Sequence, residues 1–148
     1  MQYDDYKKFL AEVLVSEEQL QARVAELAGQ ISEDYAGETL LLVCVLRGGV
    51  MFLTDLMRHL TIPHMIDFMA LSSYGVGARK STGTVRITMD LNMDIYGQNV
   101  LIVEDIVDSG YTMASLLEVL ETRQPKSLKV CSLLDKAARR EVDVRLDY

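Results

Sequence analysis

Apolar residues along this chain follow two rhythms. In "TLLLVCVL" (39–46) and "NVLIVEDI" (99–106) they run almost unbroken for the length of a strand. Such runs suit strands buried on both faces of a parallel sheet. "HMIDFMALSSY" (64–74) and "SLKVCSLLD" (127–135) read as two more strands. "TVRITMDL" (84–91) alternates, with Val85, Ile87 and Met89 on one face, and predicts a returning strand. "VDVRLDY" (142–148) also alternates and predicts a last strand, and "VLV" (13–15) a short edge strand.

Between these runs the spacing becomes helical. Leu20, Val24, Leu27, Ala28 and Ile31 recur at three to four residues. Ser16 stands where an N-cap belongs, Gln19 three residues on completes a capping box, and Gly37 lies past the end. "VMFLTDLMRHL" (50–60), closed by Pro63, predicts a second helix. "MASLLEVLETR" (113–123), with Thr112 as N-cap and Pro125 as terminator, predicts a third. Helices interleaved with strands indicate an α/β fold: a mainly parallel, twisted sheet flanked by helices, joined by right-handed crossovers. Ligands bind such sheets outside the carboxyl ends of the strands. The segments 47–49, 104–112 and 135–140 fall there. The stretch "GVGARKSTG" (75–83), with three glycines and no apolar period, predicts a mobile loop.

Composition narrows the class. A length of 148 residues, 49% of them hydrophobic, suits one domain over 1–148. The net charge of −7 argues against a nucleic-acid or anionic-lipid surface. No apolar run has the length of a membrane span, and "MQYDDYKKFL" opens with acids and lacks a signal core, so a cytoplasmic location is expected. Cys44 and Cys131 sit singly in apolar runs and read as reduced core residues. His59 and His64 have no ligand partner at metal spacing and read as structural.

The chemistry concentrates in "VLIVEDIVDSGYTM" (100–113), where an apolar run meets Glu104, Asp105 and Asp108 and then a turn. Clustered carboxylates repel, and each loses hydration if covered. A surface turn would explain Asp-Ser-Gly alone, but not its position at the end of a buried strand. Ser109, Gly110, Tyr111 and Thr112 precede a helix whose first N–H groups lack helical partners, so they can cradle a phosphate. The acids upstream suit hydroxyl donors, a Mg²⁺ shell or developing positive charge. A ligand with a phosphate at one end and a diol in the middle, a ribose 5-phosphate, satisfies both halves.

"VLIVEDIVDSGYT" closely resembles the 5-phosphoribosyl-1-pyrophosphate (PRPP) motif of type I phosphoribosyltransferases, in the form found in hypoxanthine (hypoxanthine–guanine) phosphoribosyltransferases. Three more blocks agree in family order: "VLRGG" (45–49) with the pyrophosphate loop, "SSYG…STG" (72–83) with the catalytic loop, and "LLDK" (133–136) with the purine-specificity segment. The resemblance implies Mg²⁺-dependent transfer of the phosphoribosyl group from PRPP to a 6-oxopurine in purine salvage, by a homodimer or homotetramer. Glu104 and Asp105 would hold the ribose hydroxyls and order the metal shell. Asp108 would act as base toward N7 of the purine. Residues Ser109 to Thr112 would take the 5′-phosphate. Arg47, where the family often has Lys, Gly48 and Arg140 would meet pyrophosphate. Ser73 and Tyr74 would close over the site and exclude water. Lys136 would donate to the 6-oxo group, which a donor-only cation prefers to an amino group. Tyr148 would stack on the base.

Relatives continue past the stacking aromatic, so the resemblance also implies an incomplete C-terminal hood, without the family's usual tail. A P-loop is excluded because Arg79 precedes Lys80-Ser81, and a dinucleotide fingerprint because Lys80 stands where its third glycine belongs. A xanthine- or guanine-selective enzyme and a PRPP-sensing nucleic-acid regulator stay open beside the main reading. The acidic balance disfavours the second.

Overall fold

The computed structural model describes residues 11–73 and 85–148. The elements, in order, are α1 (Glu17–Asp34), β1 (Leu40–Leu46), α2 (Val50–His59), β2 (His64–Ser73), β3 (Val85–Met89), β4 (Asn99–Val107), α3 (Tyr111–Glu121), β5 (Ser127–Asp135) and a 3-10 turn at Ala137–Arg139. The strands form one sheet in the order β3-β2-β1-β4-β5. β2, β1, β4 and β5 are parallel, and β3 returns antiparallel along β2.

β1 explains why the central strands read as unbroken apolar runs. Leu40, Leu42 and Cys44 face a core built with α1 and α2, where Val24, Leu27, Ile31, Phe52 and Leu56 are buried. Leu41, Val43 and Val45 face a second core with Met113, Leu116 and Leu120 of α3. Every position on a strand covered on both faces loses apolar surface to the interior, so none gains from being polar. Cys44 and Cys131 are fully buried and unpaired. Burial, aided by the charges of Glu104 and Asp105, pushes the Cys44 thiol up to about 11, and burial pushes Cys131 up to about 12.

α1 starts as expected: the Ser16 hydroxyl accepts from Gln19 N at 3.3 Å and Gln19 Oε1 accepts from Ser16 N at 2.8 Å. Gly37 carries the positive φ of +79° that turns the chain toward β1.

Three expectations are corrected. Residues 13–15 form no strand; Leu14 is 83% exposed, because these residues lie on no neighbouring strand's ladder. Residues 142–148 are extended but make no regular strand. Asp147 N and Tyr148 N both donate to Val130 O, and Val130 N is taken by the Asp147 carboxylate at 3.0 Å, so a side chain replaces part of the ladder. The third helix begins at Tyr111 with Gly110 as N-cap, not at Met113 with Thr112 as cap. The left-handed φ of +94° at Gly110 swings the chain directly into the helix, two residues early.

Candidate active site

The loops after β1, β4 and β5 meet at the carboxyl end of the sheet, as the parallel topology requires. β4 carries the acids within the strand rather than after it, extending to Val107. Its alternation slips there: Val107 packs with Val100 and Ile102, although an odd position should face the other core. The ladder to β5 passes from Glu104↔Ser132 to Ile106↔Leu134, and that to β1 ends at Val103. Freed from strict pleating, the side chains of neighbouring residues Glu104 and Asp105 line one cleft of about 270 Å³. Ile106, Asp108, Ser109, Gly110 and Thr112 complete its acidic and turn walls, and Val45, Leu46, Leu71 and Met113 close its apolar side.

Burial and the adjacent Asp105 carboxylate raise Glu104 to about 8. Glu104 therefore keeps a proton at neutral pH until a cation or hydroxyl donors arrive. No ion pair to Glu104 or Asp105 occurs among the described residues. Two oxygen-only side chains without a protein cation suit a hard divalent ion or a diol.

The turn at 47–49 presses on this pair. A Cβ placed on Gly48 would stand 2.7 Å from Asp105 Oδ1 and 2.8 Å from its Cγ. Any larger residue there must push the Asp105 carboxylate aside, and the glycine backbone is presented to the carboxylate edge. One placed on Gly49 would meet Val103 O at 3.0 Å and Cys44 Sγ at 3.1 Å, so both glycines are set by close packing. The Leu46–Arg47 peptide is cis, and Arg47 is exposed.

Past Val107 the chain turns at Asp108-Ser109-Gly110. No side chain caps α3, so its first N–H groups remain available beside the cleft. Tyr111 points its hydroxyl to Glu141 Oε2 at 3.4 Å, so at that position the backbone is what faces the turn. Asp108 Oδ1 is shielded from solvent and makes no hydrogen bond; its nearest cation is Arg139, whose Nε stands 3.5 Å away. A carboxylate oxygen that has an ion pair but no hydrogen bond keeps acceptor capacity for a ligand.

The segment after β5 folds back over the turn. Glu141 N and Val142 N both donate to Ser109 O, at 2.9 and 3.0 Å. Lys136 N donates to Val107 O at 2.9 Å, which fixes the backbone of Lys136 beside the acids and leaves its side chain exposed.

Two of the residues expected at the site are placed otherwise. Arg140 is only 16% exposed and spends its guanidinium on the protein: Nε donates to Asp108 O at 3.1 Å, Nη1 to Val144 O at 3.4 Å, and Nη2 pairs with Asp135 Oδ1. It is not a free cation for pyrophosphate. Tyr148 lies against the middle of β5, its N–H donating to Val130 O and its carbonyl accepting from Ser132 N, and its side chain reaches the end of α1. Its hydroxyl donates to Asp34 and accepts from Lys129 Nζ at 2.9 Å, and that Nζ stands 5.0 Å above the Tyr148 ring and 5.2 Å above Tyr35. Ser73 closes β2; Tyr74 and the loop 75–83 lie outside the described residues.

Sequence reasoning missed Asp135 and Arg139. Both adjoin residues it named, but which of two neighbouring arginines faces inward depends on the phase of a three-residue 3-10 turn. No periodic pattern reports that phase.

Residues 14–148 match the phosphoribosyl transferase domain family. The chain belongs to the phosphoribosyltransferase family. Within it, the chain is 50% identical over 143 residues to the hypoxanthine phosphoribosyltransferase of Salmonella typhimurium, spanning 95% of this chain and 80% of that one. It is 48% identical over 149 residues to the hypoxanthine-guanine phosphoribosyltransferase of Mycobacterium avium, covering 97% of this chain and 73% of that protein. Among solved structures it superposes on a hypoxanthine phosphoribosyltransferase from Staphylococcus aureus with a TM-score of 0.93 at 40% identity, covering 100% and 80% of the two chains. A hypoxanthine-guanine phosphoribosyltransferase from Bacillus anthracis gives a TM-score of 0.89 at 45% identity, over 94% and 82%. The α/β fold expected from the strand and helix pattern, and the phosphoribosyltransferase fold implied by the motif resemblance, are the fold of these relatives. No helix among the described residues is long and apolar enough to cross a membrane.

Proposed function

We propose that this chain transfers the 5-phosphoribosyl group from PRPP to a 6-oxopurine, hypoxanthine or guanine, releasing pyrophosphate. The observation that carries the reading is the joining, in one cleft, of the paired Glu104–Asp105 carboxylates to the uncapped N-terminus of α3. That pairing suits a ligand that is at once a diol and a phosphate.

The 5′-phosphate takes the N–H groups at Gly110 to Met113, where the helix dipole favours an anion. The ribose 2′- and 3′-hydroxyls donate to Glu104 and Asp105. The bond from C1 of the ribose to the pyrophosphate oxygen breaks as the purine nitrogen bonds to C1. Positive charge gathers on the sugar meanwhile, and the carboxylates beside it stabilise that charge. Asp108, whose Oδ1 makes no hydrogen bond, accepts the proton that the imidazole ring of the base gives up. Arg47 and the backbone of the 47–49 turn face the departing pyrophosphate. Glu104 and Asp105 would hold Mg²⁺, directly or through the ribose hydroxyls, and the ion would supply charge neutralisation for the pyrophosphate. Lys136 donates to the 6-oxo group. Ser73 and Tyr74 shield the reacting centre from water.

The test is a spectrophotometric assay with PRPP, Mg²⁺ and, in turn, hypoxanthine, guanine, xanthine and adenine. Turnover of hypoxanthine or guanine is expected, with adenine inert. Turnover of xanthine in preference to both would move the assignment to a xanthine-selective enzyme. Asp108→Asn should lower kcat by about 100-fold or more while PRPP affinity changes little. An equal loss of both would remove Asp108 as the base.

A further inference from the structure

Arg140 has the residue type of an anion ligand and stands within a few ångströms of the phosphate-binding turn, yet its guanidinium is spent elsewhere. Its three nitrogens engage acceptors on three different stretches of chain. Nε holds the carbonyl of Asp108, the residue that opens the turn. Nη2 holds the carboxylate of Asp135, the last residue of β5. Nη1 reaches the carbonyl of Val144. The stem of Arg140 also lies directly beneath Gly110: a Cβ on that glycine would meet Arg140 Cδ at 2.9 Å and Val142 O at 2.5 Å.

We infer that Arg140 is a positioning residue, the clamp that sets the backbone of 108–110 for the 5′-phosphate and ties it to the strand end that presents Lys136. This rests on the function proposed above. Its logic is geometric. Along the chain, the turn after β4 runs from β4 into α3. The fold-back segment braces it from one side, through Ser109 O. Arg140, in that same segment, adds a side-chain donor at the neighbouring carbonyl, that of Asp108, at 3.1 Å. Because one planar guanidinium serves both Asp108 O and Asp135, the phosphate turn and the base-recognition segment cannot shift independently. Lysine has the charge but not the fork, and one ammonium cannot span acceptors on three segments.

A residue that contacts pyrophosphate and a residue that sets the phosphate turn predict opposite ligand profiles. Inosine 5′-monophosphate carries the 5′-phosphate and the base without pyrophosphate. Calorimetric titration of the chain, and of Arg140→Lys and Arg140→Met, with inosine 5′-monophosphate and separately with Mg²⁺-pyrophosphate distinguishes them. The expected result is a loss of nucleotide affinity of about tenfold or more in both variants, the size of a lost charge-assisted hydrogen bond. Pyrophosphate affinity should change less than threefold or so by the same reasoning, since no pyrophosphate donor is removed. Amide hydrogen exchange across 109–113 in the free protein should quicken in both variants, and this readout needs no ligand. Thermal unfolding identifies any variant that has lost its fold, in which case the exchange and binding of Arg140→Lys, the smaller change, decide. Loss of pyrophosphate affinity alone, with nucleotide binding and exchange unchanged, overturns the clamp. Absence of nucleotide binding in the unsubstituted chain would sink the functional reading, and the inference with it. Binding that Arg140→Lys leaves intact sinks the inference alone.

Discussion

Glu104 should make this protein less stable as the pH rises toward 8, and replacing it with glutamine should remove that penalty. Burial, with the Asp105 carboxylate beside it, raises Glu104 from an ordinary 4.5 to about 8. A group whose folded value lies above its unfolded value binds more protons folded than unfolded between the two. Stability therefore falls across that window, from about pH 4.5 to about pH 8, and is unaffected by this group below it. At 1.36 kcal/mol per unit the ceiling is about 5 kcal/mol. Water reaching the open cleft lowers the effective cost, and a loss of about 2–4 kcal/mol is expected. Glutamine is neutral throughout, and its amide can still donate to Asp105 as the protonated carboxyl does. Urea unfolding of the chain and of Glu104→Gln at pH 5 and pH 8 measures the difference, with every other titrating group cancelling. At pH 5 the two proteins should be nearly equally stable; at pH 8 the glutamine variant should be the more stable by that 2–4 kcal/mol or so, while its activity collapses. Parallel pH dependences for the two proteins would refute the reasoning, because they would mean that Glu104 ionises in the folded chain as it does in the unfolded one.

Three other outcomes follow from single contacts. Gly48→Ala places a Cβ 2.7 Å from Asp105 Oδ1 and must displace that carboxylate; kcat/KM for PRPP should fall about 10- to 100-fold, the scale for a site group moved by about 1 Å, with little change in Tm. Asp67 is 4% exposed, and burial disfavours its charge, yet hydrogen bonds from Met93 N, Phe68 N, Asn92 N and Asn92 Nδ2 outweigh burial and hold it below the ordinary carboxylate range. Its contribution is present above the unfolded value of 3.8 and disappears as pH falls through the lower folded one; Asp67→Asn should cost about 2–3 kcal/mol at pH 7 in urea unfolding, because an amide N–H then faces backbone donors. Lys136→Ala should reduce the preference for hypoxanthine over adenine by about 10-fold or more in competition assays, and an unchanged ratio would remove Lys136 from base recognition.

The parts of this molecule that were legible in its sequence are those fixed by periodic burial or by a local rule. β1 and β4 are covered on both faces, so every residue from Leu40 to Val45 and from Val100 to Val103 reports the same environment. The Ser16–Gln19 box is local chemistry and transfers directly from sequence to structure. Parallel order follows from the helical crossovers, and with it the end of the sheet where a ligand belongs. The cleft was legible for a different reason: Glu104 and Asp105 cost too much desolvation to be placed at a buried strand end without a ligand to meet them.

What escaped is set by which way a chain turns after its last regular hydrogen bond. Val142 to Tyr148 alternates like a strand, but Asp147 supplies a carboxylate where a ladder needs a backbone carbonyl, so the segment bonds to the β5 backbone only at Asp147 and Tyr148 and makes no regular strand. That same path carries the Tyr148 side chain to Asp34 and Lys129, and it turns Arg140 inward beneath Gly110. Both misplacements therefore have one origin. The resemblance made an aromatic a stacking partner and an arginine an anion ligand; the fold-back of 136–148 gives each a protein partner that no motif reports. The left-handed Gly110 closes the argument from the other side. Its missing side chain is required by Val142 O and Arg140 Cδ as well as by its φ, so the glycine that resembles a phosphate-loop residue is held in place by the segment that braces the loop. The ligand-binding turn and the brace behind it are thus constrained by the same atoms, and a change to either side should be felt at the phosphate.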